Sequence, residues 1–308
     1  MSIDVAKRQW VLAHNFPVIF VFSGKRRVAL LALVLCSLGA APTGWAGSCV
    51  WRVRDAKGHS LYLGGSVHAL RGTDYPLPGA YNMAFDASQR LVFEIDDKAM
   101  TGAMNNLEKG GVYRHGDSLK NHVDPRTYDY LRRFFGIIKV PEENFSRYRP
   151  WFLALMLQSP ELHGLSPDLG VEGYLARRAT ANHKPISGLE SAREHAQVFS
   201  GLNDQEAEAI LLLTFIPQKS GGSENVLTTT WRQGDADRLT RLTKEGYADY
   251  PAFAERLLDA RNRNWIPKIE RDLQSGKISF VVVGAAHLGG PTGVVALLRQ
   301  RGYQVEQL

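Results

Sequence analysis

The chain has 308 residues, 44% apolar and 22% charged, with 37 Lys and Arg against 31 Asp and Glu and only two Cys. That composition excludes a disordered chain, a collagen-like repeat and a small disulfide-stapled scaffold. The formal charge of +6 sits mostly at the start: residues 1–46 hold Lys7, Arg8, Lys25, Arg26 and Arg27 against Asp4, leaving 32 positive and 30 negative side chains in residues 47–308. So small a surplus over the body removes the electrostatic argument for nucleic-acid binding.

The first segment reads as a leader. Lys25-Arg26-Arg27 precedes an apolar run from Val28 to Ala40, and small residues follow up to Ala46-Gly47. A basic stretch, a short apolar core and a small-residue exit are the parts of a secretory signal peptide. As a helix at about 1.5 Å per residue the run would reach about 20 Å, short of a bilayer core of about 30 Å. Cleavage after Ala46 is the preferred reading, with an uncleaved anchor as the alternative and translation starting nearer Lys25 as an explanation for the extra residues before it. The body is then exported, periplasmic or secreted, with no membrane span after signal removal. Cys36 leaves with the leader, so Cys49 has no intramolecular disulfide partner. Ala46-Gly47-Ser48-Cys49 also faintly resembles a lipoprotein site, but it lacks the usual Leu; a gap-filling thiol is preferred.

Residues 47–308 read as one α/β domain. Val50 to Val53 and Ser60 to Leu63 flank the turn Asp55-Ala56-Lys57-Gly58 and predict a β-hairpin. Arg90 to Ile95 and Lys184 to Leu189 are further strands. Ile278 to Val283 carries four consecutive apolar residues before Gly284, the pattern of a strand covered on both faces. Helical spacing marks Tyr148 to Leu157, Leu169 to Ala181, Glu206 to Phe215 with Asn203 or Asp204 as cap, Pro251 to Leu273, and Val294 to Arg301 ended by Gly302. Tyr303 to Glu306 closes as a last strand. Alternation of strands and helices predicts a mixed central β-sheet flanked by helices, with about residues 100–167 as a helical insertion.

One pattern occurs twice. Gly65-Ser66-Val67-His68 follows the second strand and Gly284-Ala285-Ala286-His287 follows the central one. Gly permits a sharp turn there, and the turn presents a His at the carboxyl edge of the sheet, where open α/β sheets bind ligands. Glu94 and Glu190 each end an apolar strand and belong to the same edge. Two His with one or two carboxylates suit a divalent metal that activates water, with a neighbouring carboxylate as base. Glu190 has a second reading as cap of the helix beginning at Ser191. Arg261 and Asn262 are candidates to orient substrate or steady an oxyanion; equally, Arg261 could pair with Glu94 or Glu190. His115 and His122 flank a polar segment with no strand to fix them, and Ser66 beside His68 is no triad.

These motifs, together with Trp51, Phe93-Glu94, Lys184-Pro185-Ile186-Ser187-Gly188-Leu189-Glu190, Trp231-Arg232-Gln233-Gly234-Asp235, Arg261-Asn262 with Trp265, and Gly302-Tyr303, resemble the TraB/GumN family, whose animal relatives are the TIKI metalloproteases. Gly-Ser stands where that family commonly writes Gly-Thr. The resemblance implies a mixed α/β fold and peptide cleavage dependent on a divalent metal ion, Mn or Co ahead of Zn. It also implies a peptide or protein substrate. The expected site is therefore His68, His287, Glu94 and Glu190 as metal ligands, with Glu94, Glu190, Arg261 and Asn262 in catalytic roles. The rival is an envelope protein that binds peptides or signals, as in pheromone shutdown, without cutting them.

Overall fold

The computed structural model describes residues 47–95, 107–159, 164–215 and 224–308, with Gly102 and Asn105. The leader, its Cys36 and parts of the expected helical insertion lie outside the described residues. The hairpin forms as expected from β1 (Val50–Arg54) and β2 (Ser60–Ser66), antiparallel with Val53 opposite Leu61. Its turn is held by the Asp55 carboxylate, which accepts from the backbone N–H of Lys57 and His59 at 2.9 Å, and by Gly58 at φ +87°, a conformation that favours glycine.

Four further strands complete one sheet: β3 (Arg90–Phe93), β4 (Ile186–Gly188), β5 (Ser279–Gly284) and β6 (Gln304–Gln307), in the order β4-β3-β5-β2-β1-β6. The β4-β3-β5-β2 part is parallel, whereas β1 runs antiparallel to both β2 and β6. This is the expected mixed α/β sheet. All residues of β5 are buried, because helices cover both faces and the strand has neighbours on both sides.

The longer helices among the described residues are α1 (Gly79–Ala87), α2 (Pro125–Ile137), α3 (Pro150–Leu157), α4 (Val171–Ala181), α5 (Ala192–Ser200), α6 (Asp204–Leu213), α7 (Glu224–Arg232), α8 (Ala236–Gly246), α9 (Ala260–Gln274) and α10 (Val294–Gln300). Asn203 is the cap of α6, and it forms a reciprocal box with Glu206, satisfying two N–H groups that a helix start leaves free. The long helix expected over Pro251 to Leu273 is interrupted by a π-type turn at Glu255–Asp259 just before α9. Two cores result. Leu63, Tyr81, Trp231, Trp265 and Phe280 belong to the core around the sheet. Leu131, Phe135, Phe145, Leu153, Ile210 and Phe253 build a second core. That second core is wider than the expected insertion, because α5 and α6, later in the chain, supply part of it. Among the described residues, 107–159 add no strand to the sheet.

Cys49 fills a gap in the main core with no exposed surface, and burial, with the Asp235 charge behind it, pushes its thiol up to about 12. A lipid on Cys49 would require this residue to leave the core. Among the described residues, no helix is long and apolar enough to cross a membrane.

Candidate metal centre

Parallel pairing brings the two Gly-x-x-His segments together. Gly65 lies opposite Val283 and Ser66 opposite Gly284, so the turns that follow leave the same sheet edge from adjacent strands. Next to them β3 ends at Phe93, and β4 pairs Gly188 with it. The bond from Glu190 N–H to the Glu94 carbonyl, 2.8 Å, continues that pairing past the strands. All four expected ligands therefore start from strand ends on one edge.

Glu94 is 7% exposed and His287 4%. Glu94 Oε1 accepts from Gly284 N–H at 2.8 Å and lies 3.8 Å from His287 Nε2. Donors about 2.1 Å from one ion are about 3.0–4.2 Å apart as the angle opens from square to linear, so this pair can share an ion. A Cβ added to Gly284 would lie 3.3 Å from Glu94 Oε1, 3.5 Å from His287 Cδ2 and 3.7 Å from His68 Nε2. The bare glycine thus leaves open a point on which these three side chains converge.

Each His has an outer partner. Asn262 Oδ1 lies 2.7 Å from His287 Nδ1, and an amide oxygen can only accept, so Nδ1 carries the proton and Nε2 keeps its lone pair. Burial lowers His287 to about 4, which keeps the ring neutral, as a ligand must be. His68 Nδ1 lies 3.1 Å from Glu172 Oε1, which leaves His68 Nε2 toward the Gly284 side; Glu172 pushes this largely exposed ring up to about 9, so an ion bound there would have to displace a proton. The Ser66 hydroxyl donates to the same Glu172 carboxylate. Glu172 was absent from the expected set. It reaches the site from the first turn of α4, which is seated by Gly170: a Cβ there would lie 2.2 Å from the His68 carbonyl.

A second ligand group is more compact. Glu94, Glu190 and His195 offer donor atoms all within 4.8 Å of one another, close enough to hold a divalent ion. His195 was also missed by the sequence reading. It projects from α5, and its Nδ1 lies 2.7 Å from Glu190 Oε1. The Glu190 capping alternative fails, because Ser191 is the N-cap of α5 with Glu194 as reciprocal partner. Trp265 Nε1 donates to Glu190 Oε2 at 3.2 Å.

Arg261 lies inside this group. Its Nη2 donates to Glu94 Oε2 and, at 2.6 Å, to Glu190 Oε1; its Nε donates to Glu190 Oε2 at 3.1 Å. Nη1 is 3.1 Å from His287 Nε2 and donates to the Leu257 carbonyl at 3.2 Å, within the π-type turn. Burial alone would raise Glu94; the Arg261 guanidinium overrides it and holds the carboxyl well below the usual range. Glu190 is likewise lowered against its burial, by bonds from His195 and Arg261. The ion-pair reading of Arg261 thus describes its contacts. Asn262, expected to touch substrate, is 1% exposed and has both amide groups engaged, since Nδ2 donates to the Thr292 carbonyl at 3.0 Å. It orients His287. An ion in the compact group would share its carboxylates with a guanidinium already there; on the Gly284 side, Glu94 Oε1 and His68 Nε2 are clear of Arg261, while the His287 Nε2 lone pair faces Arg261 Nη1 at 3.1 Å. The donor set suits a divalent metal.

The profile of the TraB/PrgY/gumN family matches residues 49–307. An uncharacterized protein of Treponema pallidum (strain Nichols) is 24% identical over 275 aligned positions, covering 82% of this chain and 80% of that protein. YbaP of Escherichia coli (strain K12) is 23% identical over 255 positions, covering 78% and 88%. Metalloprotease TIKI1 of Danio rerio is 22% identical over 324 positions, covering 84% of this chain and 63% of its own length. The link to the TIKI proteins is therefore distant and partial. No solved structure matches. With nearly all of residues 47–308 inside the profile, the chain belongs to the TraB/PrgY/gumN family.

Proposed function

We propose that this protein is an exported, metal-dependent hydrolase that acts on peptides. The observation that carries the reading is the convergence of His68, His287 and Glu94 on the open point beside Gly284, with the His287 tautomer set by Asn262 and His68 paired with Glu172. Outer partners of this kind are what orients imidazole ligands in metal sites. When bound, a divalent ion supplies Lewis acidity and makes water a nucleophile near neutral pH. In this reading His68, His287 and Glu94 hold it, with Mn or Co favoured by the distant likeness to the TIKI metalloproteases. Glu190, ionised and backed by His195, takes the proton from the attacking water. Arg261, whose N–H groups are taken by Glu94, Glu190, His287 and the Leu257 carbonyl, holds those carboxylates in place.

Export is supported by the leader, and cleavage after Ala46 would leave Gly47 as the first residue. Gly47 is already packed: a Cβ there would lie 2.9 Å from Gln307, and Ser48 N–H donates to the Leu308 carbonyl at 2.7 Å. N-terminal sequencing of the exported protein should begin at Gly47.

Metal content of the purified protein, reconstituted separately with Mn, Co and Zn, should be about one ion per chain and should be lost in His68→Ala and His287→Ala. Mass spectrometry of a peptide mixture should show cleavage by the native protein alone. An undiminished rate in folded His287→Ala would overturn the reading. Capture without cleavage is the second reading, and Arg261 favours it, because its guanidinium neutralises Glu94 and Glu190 without an ion. Saturable binding of a peptide that leaves unchanged would establish it.

A further inference from the structure

A cleft of about 310 Å³ opens beside the compact group, between α5 and α9, and its wall includes Glu190 and Arg261. It therefore leads onto the site. Three cations, Arg256, Arg261 and Lys268, line it against two carboxylates, Glu190 and Glu194, so it favours an anion. All but one of these charges are committed within the protein. Glu194 accepts from the Ser191 N–H at 2.7 Å, Lys268 Nζ donates to the Leu189 carbonyl, and Arg261 is bonded to Glu190.

Arg256 is the exception. It stands on the π-type turn ahead of α9, and its Nη1 is buried with no hydrogen-bond partner. A buried charged donor left without an acceptor costs more than a neutral one. Native proteins seldom leave such a group unpaired. Arg256 as a whole is only half-buried and lines the cleft, so its guanidinium is in place there and short of one acceptor. Its planar fork suits a carboxylate, which can take two parallel N–H bonds. Val198 and Trp265 add apolar wall to the same cleft, room for a side chain beside the charged group.

We infer that this cleft is a recognition subsite for a carboxylate of the peptide substrate, with Arg256 as its anchor. The inference rests on the peptide reading of the site and extends it: the substrate carries a negative group, its own C-terminus or an Asp or Glu side chain, held on the Glu190 side of the centre. Arg256 binds and takes no part in bond breaking.

The test is binding, kept apart from cleavage by working in EDTA. The full chain is dialysed to equilibrium against three pools of random hexapeptides, and retention is read by mass spectrometry. One pool lacks Asp and Glu and ends in a free carboxylate. The second is the same with C-terminal amides. The third is amidated and carries one Asp. Retention of the first or the third pool should exceed the second by about tenfold, the value of one charged hydrogen bond. Which pool is favoured tells a C-terminal carboxylate from an acidic side chain. The excess should vanish in Arg256→Gln with unchanged circular dichroism. Equal retention of all pools by the native protein overturns the inference whether or not that variant folds, and so does an excess that survives in folded Arg256→Gln. Selective retention of peptides that stay uncut when metal is added would remove the hydrolase reading and leave the subsite standing. Cleavage without preference among the pools would do the reverse.

Discussion

Asn262 shows how much one side chain decides at this site. Its oxygen sets the His287 tautomer and its nitrogen holds the Thr292 carbonyl, while the Thr292 hydroxyl donates to Asp259 at 2.7 Å and Lys244 donates to Asp259 at 2.8 Å. The His287 ring is therefore fixed from behind by a chain of bonds that reaches α8. Asn262→Ala should weaken Mn binding by about 10–100-fold, the usual cost of losing an outer partner. It should also lower stability by roughly 1–3 kcal/mol, because two buried polar groups lose partners. Metal titration and urea unfolding read the two effects separately. Unchanged Mn affinity in the folded variant would mean that His287 is not a ligand. The sequence marked Asn262 as important and misread the reason, because which way an amide faces depends on α9 turning against the sheet edge.

At the scale of elements, the π-type turn at Glu255–Asp259 delivers Arg261 and Asn262, consecutive residues that are both buried, from one helix. Such turns recur at functional sites because the extra residue re-aims the side chains that follow. Nothing in the spacing of residues 251–273 reveals it, since an apolar periodicity shows a helix and not its local winding. The helical layer is clamped differently, by His122. Its ring lies 2.9 Å from Asp117 and 2.7 Å from Asp204 at the start of α6, and it stacks on Tyr113 at 4.4 Å. Burial alone would lower its pKa; the bonds to Asp204 and Asp117 outweigh burial and raise it. A raised folded-state value means that this contribution to stability is fully present below the unfolded value of about 6.5 and is lost as pH rises through the folded one. His122→Gln should therefore destabilise the protein more at pH 5.5 than at pH 9, as urea unfolding at about those two values would show. An equal loss at both would mean that the ring charge contributes nothing.

For the whole molecule, the consequence of Arg261 is a fold that closes without an ion. Structural metal sites unfold when chelated, but here the buried carboxylates already have a cation. EDTA should move the melting temperature by less than about 2 °C, under 1 kcal/mol for a chain of this size. Arg261→Met should behave oppositely, losing roughly 3–5 kcal/mol in EDTA because it strands two buried carboxylates, and regaining part of that loss with Mn or Co. Calorimetry on both proteins with and without metal checks this. A native protein that melts far lower in EDTA would show that the guanidinium does not substitute for the ion.

Local chemistry made much of this protein readable in advance. A run such as Phe280 to Val283 can only be buried on both faces, a Gly-x-x-His after such a run has to turn at the sheet edge, and Glu94 and Glu190 follow strands of the same kind. These are properties of neighbouring residues, and period and turn chemistry carry them. Glu172 and His195 are different: each sits on a helix, and what it touches depends on how that helix is rotated against the sheet. The parallel register of β2 on β5, which makes neighbours of residues more than two hundred positions apart, is likewise a product of packing. So is the place of Arg261. Its charge was visible from the start, but whether it would face substrate or lock two carboxylates together depended on which groups the closed core left within reach of its guanidinium.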